Sequence, residues 1–422
     1  MAAIAPTRFD VVGSFLRPEA LKEARAAHAA GKLDDAGLIA VENACIAELV
    51  AKQKDAGLPL LTDGEFRRSY WHLDFMWGLG GIEHVELDHG YFFVGEETTH
   101  GSAVLTGKIT GEHHPFVEHF KFVQALEEPG HTAKQTIPAP AQLLPELYRD
   151  EAAAERTRNF YPNEDELLED IGAAYRTVIA ELYAAGCRNL QLDDCTWGVL
   201  VDEGFQAGVR AAGSTPEAEA EKYLRVNNLA LEGRPADMAI TTHVCRGNYH
   251  STYASSGPYD LVAPVLFARE NVDAFYLEFD DERSGGFEPL AHVAPGKKVV
   301  LGLVTTKRPE LEDRDAVIAR IHEAARFVPL EDLCLSPQCG FASCEIGNKL
   351  TEDEQWAKIA LVRGIAEEVW GGITKDSSAT MAHDTPPQLR DSPLIEAAFS
   401  KRCDAHQKGN RDAWARSTRG VS

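Results

Sequence analysis

Eight short apolar runs alternate along the chain with longer amphipathic patterns. The runs predict β-strands at 9–14, 59–65, 133–140, 189–194, 238–245, 274–280, 297–305 and 332–339. The amphipathic patterns, with apolar residues three and four positions apart, predict helices at 34–55, 164–185, 215–232, 257–270, 309–326 and 351–370. Near-continuous apolar strands between helices are typical of a parallel sheet buried on both faces. Eight of them predict an α/β fold of the (β/α)₈ (TIM) barrel type. An open doubly wound sheet is the alternative, although no GxGxxG motif follows a strand.

One segment interrupts this alternation directly after the second predicted strand. Residues 66–125 contain the stretches YWHLDFMWGLGG, YFFVG and AVLTGKIT. They are too many and too aromatic for a plain loop, so we expect an insertion with its own β-hairpin. After Trp370 the chain becomes polar and rich in Pro, Arg and Asp, which predicts a C-terminal extension over about 371–422. We therefore predict one catalytic domain over 1–422.

Net charge argues against some classes of binding partner, and the sequence context of the cysteines indicates their role. Of 422 residues, 42 are Lys or Arg and 66 are Asp or Glu, a formal net charge of −24. This charge argues against nucleic acid or an anionic membrane surface as a partner. No stretch reaches the ~20 apolar residues of a membrane helix, and the opening MAAIAPTRFD lacks the pattern of a signal peptide. We expect a cytoplasmic protein whose eight cysteines serve metal binding or burial rather than disulfides.

Polar and reactive side chains stand where the predicted strands end. Active sites of (β/α)₈ barrels form at the C-terminal ends of the strands. If the fold prediction holds, one rim of the barrel carries, in chain order, Ser14, Asp63, Glu65, Gln142, Asp193, Asp194, His243, Cys245, Glu278, Thr305, Thr306 and Cys339. This convergence depends on the fold and on no single motif.

Four of these residues suggest a metal site. His243 and Cys245 lie two positions apart, so a strand points both to the same face. With Glu278 and Cys339 they offer two sulfurs, one nitrogen and one oxygen, a set that suits tetrahedral zinc. The residues come from three strands, whereas structural zinc modules use tight CxxC pairs, so the spacing favours a catalytic site. Two thiolate ligands make a zinc ion better at holding an incoming thiol than at activating water.

Each residue of this set also has a simpler interpretation. An isolated Cys339 is more often a small buried residue than a ligand, and an HxC pair alone is weak evidence for a metal. Glu278 could pair with an arginine such as Arg283. Cys334 and Cys344 lie close to Cys339 in the sequence; we expect the first in the core and the second in a loop.

Six motifs together resemble the catalytic domain of cobalamin-independent methionine synthase, nearest its short, single-domain bacterial homologues. They are VVGSFLRP (11–18), LTDGEFRRSYW (61–71), LQLDD (190–194), THVC (242–245), YLEFDDERSG (276–285) and SPQCGFAS (336–343). The resemblance covers roughly residues 8–370. It implies a (β/α)₈ barrel that transfers a methyl group from 5-methyltetrahydrofolate to the thiolate of homocysteine. It also implies Zn²⁺ as cofactor, held by the residues that match His243, Cys245, Glu278 and Cys339.

The same resemblance implies the contacts to homocysteine. Its family pocket matches the backbone of Val12, Gly13 and Ser14, and it places the amino group of the substrate near Glu65 and Asp193. These two carboxylates are therefore the expected catalytic residues on the acceptor side of the pocket. They suit an ammonium group, which carries the opposite charge.

The donor side departs from the family pattern. The proton-transfer histidine of the family is replaced within VTTKRP, where Lys307 lies nearest, and no tryptophan for stacking on a pteridine matches near IPAPAQ, which ends at Gln142. The chain has no room for the second, N-terminal barrel of the long enzymes. We therefore expect the insertion, with Trp71 and its aromatic neighbours, to build a different donor pocket. A lid or a contact between copies, which would make the protein a homo-oligomer, is the alternative.

Three functions stay open at this point. The first is methyl transfer to homocysteine, from methyltetrahydrofolate or a related donor, to give methionine. The second is another thiol alkylation, such as that of epoxyalkane:coenzyme M transferase, although a sulfonate thiol calls for arginines where Glu65 and Asp193 stand. The third is a non-catalytic homologue that binds zinc or a thiol.

Overall fold

The computed structural model describes residues 3–371. Within them the strands are β1 Leu60–Leu61, β2 Gly80–Glu86, β3 Phe92–Phe93, β4 Glu96–Glu97, β5 Gly101–Thr110, β6 Thr132–Ala133, β7 Gln135–Pro138, β8 Asn189–Asp194, β9 Ala239–Val244, β10 Ala274–Glu278, β11 Lys298–Val304 and β12 Leu333–Pro337. β7 to β12 form one six-stranded sheet in chain order, in which every pairing is parallel. β1 pairs in parallel with β6, directly before β7.

Two isolated parallel bridges join the ends of this arrangement. Residues 9–14 lie between β12 and β1, since Phe9 bridges Leu335 and Ser14 bridges Gly64. The eight predicted strand segments therefore follow one another round a ring. The predicted (β/α)₈ barrel is confirmed, and with it the placement of strand ends on a common rim.

The first predicted strand is less regular than expected. Residues 9–14 form bridges but no continuous strand. Gly13 permits their close approach to β7, because a Cβ atom at this position would lie 2.8 Å from the Cγ2 atom of Thr136. The first segment thus closes the ring through a glycine contact and two bridges.

A buried charged residue interrupts the third predicted strand. Lys134 separates β6 from β7, and its Nζ atom donates to Asp10 Oδ1 at 3.1 Å and to Gln191 Oε1 at 3.2 Å. The hydroxyl of Tyr276 donates to the other oxygen of Asp10 at 2.5 Å. These side chains come from four segments of the ring, so they meet in its interior. Their hydrogen bonds offset the cost of burying the Lys134–Asp10 ion pair.

The α-helices of the described residues lie mostly between the strands of the barrel. They are α1 Glu19–Ala29, α2 Asp35–Asp55, α3 Leu73–Met76, α4 Phe116–Gln124, α5 Leu143–Leu147, α6 Glu151–Phe160, α7 Glu164–Ala184, α8 Thr196–Leu200, α9 Glu203–Ala211, α10 Pro216–Ala230, α11 Ala263–Arg269, α12 Arg314–Ala324 and α13 Glu352–Trp370. Predicted and observed bounds agree within two residues for α2, α7, α10 and α13. Each of these begins behind a side chain that caps its first turn, namely Asp34, Asn163, Thr215 and Thr351.

Two other predicted helices are shorter than expected. α12 begins only at Arg314, because the carboxylate of Asp313 accepts from the backbone nitrogen of Ala316 and starts the helix there. The predicted helix 257–270 opens with the 3₁₀ turn Tyr259–Leu261 before α11. Neither change moves a strand of the barrel.

Residues 66–125 form the β-containing insertion predicted after the second strand. β2 and β5 pair antiparallel, as do β3 and β4. The backbone nitrogen of Trp71 donates to the carbonyl oxygen of Ser343, and that of Val94 donates to Tyr253, both at 2.9 Å. The insertion is thereby tied to the loops that follow β9 and β12, at the rim where the strands end.

The predicted C-terminal extension lies outside the described residues, apart from Gly371. No helix in the described part of the chain combines the length and the apolar character needed to cross a membrane.

Candidate metal centre and its cavity

Four potential metal ligands stand at the C-terminal ends of three neighbouring strands. His243 is the second-last residue of β9 and Cys245 follows that strand directly. Glu278 is the last residue of β10, and Cys339 lies two residues beyond β12. Every residue of these strands is buried, so the sheet geometry fixes the direction of each side chain.

The four side chains meet in one place. Their potential ligand atoms all lie within 4.8 Å of one another, and all four residues are buried. The two sulfur atoms, Cys245 Sγ and Cys339 Sγ, are 3.7 Å apart. His243 Nδ1 faces the carbonyl oxygen of Tyr276 at 3.3 Å, which leaves Nε2 for a ligand.

The partners of these atoms test whether a cation fits. His243 Nε2 and both carboxylate oxygens of Glu278 are buried with no hydrogen-bond partner among the described residues. Arg246 approaches Glu278, at 4.0 Å between Nη1 and Oε2. Unpaired buried acceptors are costly, and a divalent cation satisfies all three atoms together. The donor set of two sulfurs, one nitrogen and one carboxylate therefore fits a soft or borderline metal such as zinc.

The protein environment alone does not favour thiolates at this site. Hydrogen bonding with Cys245, together with burial, raises the pKa of the Cys339 thiol well above its ordinary value. Hydrogen bonding with Cys195 and burial act likewise on the pKa of Cys245. Metal coordination deprotonates such thiols, so a bound cation and two ionised cysteines depend on each other.

A cavity of about 460 Å³ opens beside the four ligands. His243, Cys245 and Cys339 line it, together with the carboxyl side chains of Glu65 and Asp193. The metal centre and the two carboxylates therefore face a common space. This space is within the usual range for a small-molecule site.

Glu65 and Asp193 are the most deeply buried of the carboxyl groups that line this cavity. Burial raises the pKa of Glu65 to about 7, against the opposing charge of Arg68, whose Nη1 atom lies 3.5 Å from Glu65 Oε1. Burial likewise raises the pKa of Asp193 to about 7, against a 2.7 Å hydrogen bond from Gln191. Glu65 Oε2 has no partner among the described residues. An ammonium group would supply that partner and favour the ionised form of both carboxyls.

The backbone at Glu65 is held in a costly conformation. Its φ is 61°, in the left-handed region that non-glycine residues rarely adopt. Its backbone nitrogen donates to Asp63 Oδ1 at 2.8 Å, and its carbonyl oxygen accepts from Arg17 at 2.7 Å. Such strain persists only where neighbouring contacts enforce it, and it is concentrated at functional sites. Here it aims a carboxylate at the cavity.

The structure brings most of the other predicted site residues to this cavity. Its lining includes Val12, Ser14, Trp71 and Gln142. Gln142 is already engaged, because its Oε1 atom accepts from the backbone nitrogen of Cys195 at 3.2 Å. Gly13 lies between two lining residues and contributes the close backbone approach described above.

Lys307 is placed differently from the expectation and does not line the cavity. Its Nζ atom is buried without a hydrogen-bond partner among the described residues. Burial raises the pKa of Asp280, and the charge of Lys307 opposes that rise. The lysine therefore lies outside the lining of the space where substrates would react, and its charge acts on Asp280. Lys307 lies near the position of the family histidine in the sequence, but its side chain does not line the cavity.

Sequence reasoning missed several residues that line the cavity. Cys195 directly follows β8 and hydrogen-bonds with Cys245. The expectation that site residues follow the C-terminal ends of the strands could have identified Cys195, since it is next to Asp194. Tyr91 and Asp202 lie in loops, where no strand period indicates which way a side chain points. Cys344, expected in a loop, also lines the cavity, whereas Cys334 packs in the core as expected.

The comparisons with known proteins agree with this fold. The family model described as cobalamin-independent synthase, catalytic domain, matches residues 6–366. An uncharacterized protein of Bacillus subtilis, YxjH, is 44% identical over 367 residues, which cover 87% of this chain and 95% of that protein. A methionine synthase of Saccharolobus solfataricus is 23% identical over 335 residues, covering 78% of this chain and 86% of that protein. The crystal structure of a putative vitamin-B12 independent methionine synthase from Listeria monocytogenes has 40% sequence identity and a TM-score of 0.69, covering 87% of this chain and 99% of that one.

Fold and site together define a (β/α)₈ barrel with a candidate metal centre at the C-terminal ends of its strands. The family match extends over nearly all of the described residues. The chain belongs to the cobalamin-independent synthase catalytic-domain family, a family of methyltransferases.

Proposed function

We propose that this chain is a zinc-dependent methyltransferase that moves a methyl group to homocysteine and releases methionine. The donor is 5-methyltetrahydrofolate or a related methyl compound. One observation carries the proposal: three of the four metal ligands, His243, Cys245 and Cys339, line the same cavity as the carboxylates Glu65 and Asp193. A thiol and an ammonium group on one small molecule match these two features.

In this proposal each residue has a limited task. His243, Cys245, Glu278 and Cys339 would hold the zinc ion. When bound, zinc lowers the pKa of a thiol so that it stays nucleophilic at neutral pH. Glu65 and Asp193 accept hydrogen bonds from the ammonium group of homocysteine and so fix the direction of its thiol. Such positioning turns the attack on the methyl carbon into an effectively intramolecular step.

The cavity lining supports this function over that of a sulfonate-thiol transferase. Among the described residues that line the cavity there is no lysine or arginine. A sulfonate needs cationic or multiple hydrogen-bond donors, whereas Glu65 and Asp193 would repel it. An epoxide-opening enzyme that uses coenzyme M is therefore the weaker candidate. A non-catalytic thiol-binding homologue stays an alternative that a turnover assay excludes.

Zinc-edge X-ray absorption with and without homocysteine tests the proposal. We expect bound zinc with two sulfur neighbours, and a third sulfur when homocysteine is added. His243→Ala should remove the metal, while Cys45→Ser, a change on α2 away from the cavity, should keep it. Zinc whose sulfur count does not change would contradict the choice of thiol. A protein that holds no zinc after metal is resupplied would contradict the metal site itself.

A further inference from the structure

The insertion contributes an aromatic wall to the cavity, formed by Tyr70, Trp71, His72 and Tyr91. The ring centroids of Trp71 and His72 are 4.6 Å apart, and those of His72 and Tyr91 are 5.4 Å apart. The rings are therefore contiguous. None of the metal ligands belongs to this wall, because all four stand on the barrel strands or their loops.

The aromatic wall carries no positive charge of its own. Burial, and after it the positive charge of Arg149, lower the pKa of His72 to about 3, so its imidazole is neutral. Its Nε2 atom hydrogen-bonds with the hydroxyl of Tyr91 at 2.9 Å. Its Nδ1 atom is buried without a partner among the described residues. Neutral aromatic rings present a negative face to a ligand, and such faces attract cations.

A third carboxylate, Asp202, also lines the cavity, on the barrel side at the start of α9. Its Oδ1 atom accepts from the backbone nitrogen of Gly204 at 2.9 Å, and Oδ2 accepts from Ser256 at 3.1 Å. No ion pair to Asp202 exists in the described part of the chain, and no lysine or arginine lines the cavity. The lining thus combines aromatic rings with a carboxylate, Asp202, that has no ion pair among the described residues.

We propose that the cavity binds a positively charged methyl donor, a sulfonium or quaternary ammonium compound, against the aromatic wall and Asp202. This inference rests on the proposed function, since it names the donor for the same thiol. An anionic donor with a glutamate tail would meet Asp202 and no lysine or arginine in the cavity lining, since Glu65 and Asp193 are assigned to the ammonium group of homocysteine. Arg149 lies outside this lining, with its Cζ atom 3.8 Å from the ring centroid of Tyr91 and an ion pair to Glu146. A cationic donor meets the rings and charges that suit it.

The chemistry of such a donor also suits the residues present. The thiolate sulfur of homocysteine forms a bond to the methyl carbon while the carbon–sulfur bond of the sulfonium breaks. The bonding pair leaves with the donor sulfur, so a thiolate and a cation become two neutral thioethers, and the thiol proton goes to solvent when the thiol ionises. The leaving group needs no proton, unlike the tertiary amine of a folate. The absence of Lys307 from the cavity lining is then no obstacle.

Binding can be measured without homocysteine and without turnover. Isothermal titration calorimetry should compare choline with 3,3-dimethylbutan-1-ol, a neutral molecule of nearly the same shape. We expect choline to bind at least about tenfold more tightly, because only the cation gains from the rings and the carboxylate. Equal binding of the two, or no binding of choline, would overturn the proposal.

Asp202→Asn tests the carboxylate without removing the helix cap, because asparagine caps a helix about as well as aspartate. We expect it to weaken choline binding about fivefold and to leave the neutral alcohol unaffected. Glu203→Gln removes the same charge one residue further on, from an exposed position outside the cavity lining, and should change neither value. Thermal unfolding of both variants checks that they fold. An unchanged choline affinity in folded Asp202→Asn would exclude this carboxylate from the cation site.

A turnover assay then separates this inference from the proposed function. Zinc-loaded protein with homocysteine and a trimethylsulfonium salt should yield methionine and an equal amount of dimethyl sulfide. Methionine formed from 5-methyltetrahydrofolate but not from the sulfonium would overturn the inference and leave the proposed function standing. If X-ray absorption shows that homocysteine does not bind, the proposed function fails, and with it the cation as its methyl donor. The choline titration would still decide whether the cavity prefers a cation.

Discussion

The two ends of the cavity are built in different ways. At one end, the metal ligands stand on strands whose parallel register places Asp193 beside His243 and His243 beside Tyr276. At the other end, the aromatic wall comes from one insertion and reaches the barrel through loop contacts such as that between Trp71 and Ser343. The first end is held by backbone hydrogen bonds between the strands of the barrel, and the second is held by local packing.

Because the two ends are built differently, substitutions at each end should have different energetic costs. Substitutions at the metal end leave buried polar atoms without partners, which is expensive in a low-dielectric site. Substitutions in the aromatic wall remove ring contacts, which cost less and leave the barrel intact. The thiol should therefore depend strongly on a few residues, whereas the methyl donor should depend weakly on several.

The largest effect is expected at the metal end. Cys339→Ser should remove the metal and the activity together, because a hydroxyl is a poor zinc ligand at neutral pH. Metal analysis by atomic emission and a methionine assay on the same preparation measure both losses. Cys45→Ser is the control and should retain both, because Cys45 lies on α2 away from the cavity and is less completely buried than Cys334, at 9% exposed against 1%. Full activity of metal-free Cys339→Ser would show that the reaction does not depend on the metal end of the cavity.

A smaller effect is expected at the ammonium site. Glu65→Gln keeps the shape of the side chain and removes its charge, and a charge-assisted hydrogen bond contributes about 1.5–3 kcal/mol. We expect the Kd for homocysteine to rise about 10- to 100-fold by calorimetry. The Kd for 4-mercaptobutanoate, which has the thiol and carboxylate but no ammonium group, should change much less. An equal change for both thiols would exclude Glu65 from ammonium recognition.

The same carboxyls predict a pH dependence. Burial raises the pKa values of Glu65 and Asp193 to about 7, so the pair gains negative charge as the pH rises from 6 to 8. Protonation removes the negative charge that faces the ammonium group, so from pH 8 to pH 6 homocysteine should lose about tenfold more affinity than 4-mercaptobutanoate, whose thiol ionises on zinc in the same way. Glu65→Gln should reduce this difference. An equal change for both thiols in the wild type would contradict the ionised pair.

At the aromatic wall the expected effect is smaller still. Trp71→Leu should weaken choline binding about threefold, because one ring of several is lost, and it should leave homocysteine binding unchanged. Trp77→Leu is the matched control: Trp77 belongs to the same insertion but stacks on His84 at 4.2 Å and does not line the cavity. A loss of homocysteine binding in Trp71→Leu would show that the two ends are not separate.

The sequence predicted the metal end well because buried parallel strands leave little freedom. Their alternation fixes which face His243 and Cys245 share, and the barrel topology brings the end of β12 to the end of β9. The left-handed backbone at Glu65 could not be predicted in this way, since it depends on contacts from Arg17 and Asp63.

The aromatic wall was harder to predict because its residues do not follow the regular alternation of side-chain direction that a strand imposes. The sequence indicated an insertion with a hairpin and suggested Trp71 on the donor side. It could not show that Tyr91 would lie against His72, since that depends on how the β3–β4 hairpin folds back on the segment before α3. Asp202 was missed for a similar reason: it is a helix cap by sequence, and only the packing of α9 brings it to the cavity.

Lys307 gives the smallest and sharpest prediction. Resemblance to the family made it the nearest substitute for a proton-transfer residue, but its ammonium group lies outside the cavity lining, and its charge lowers the pKa of Asp280 against the effect of burial. Lys307→Gln should therefore change kcat for methionine formation less than about twofold. Some stability should be lost, since Asp280 then relies on Arg283, 3.5 Å away between Nη2 and Oδ1, and thermal unfolding measures this loss. A tenfold fall in kcat with unchanged stability would place Lys307 in the reaction and require a movement that brings its side chain to the cavity.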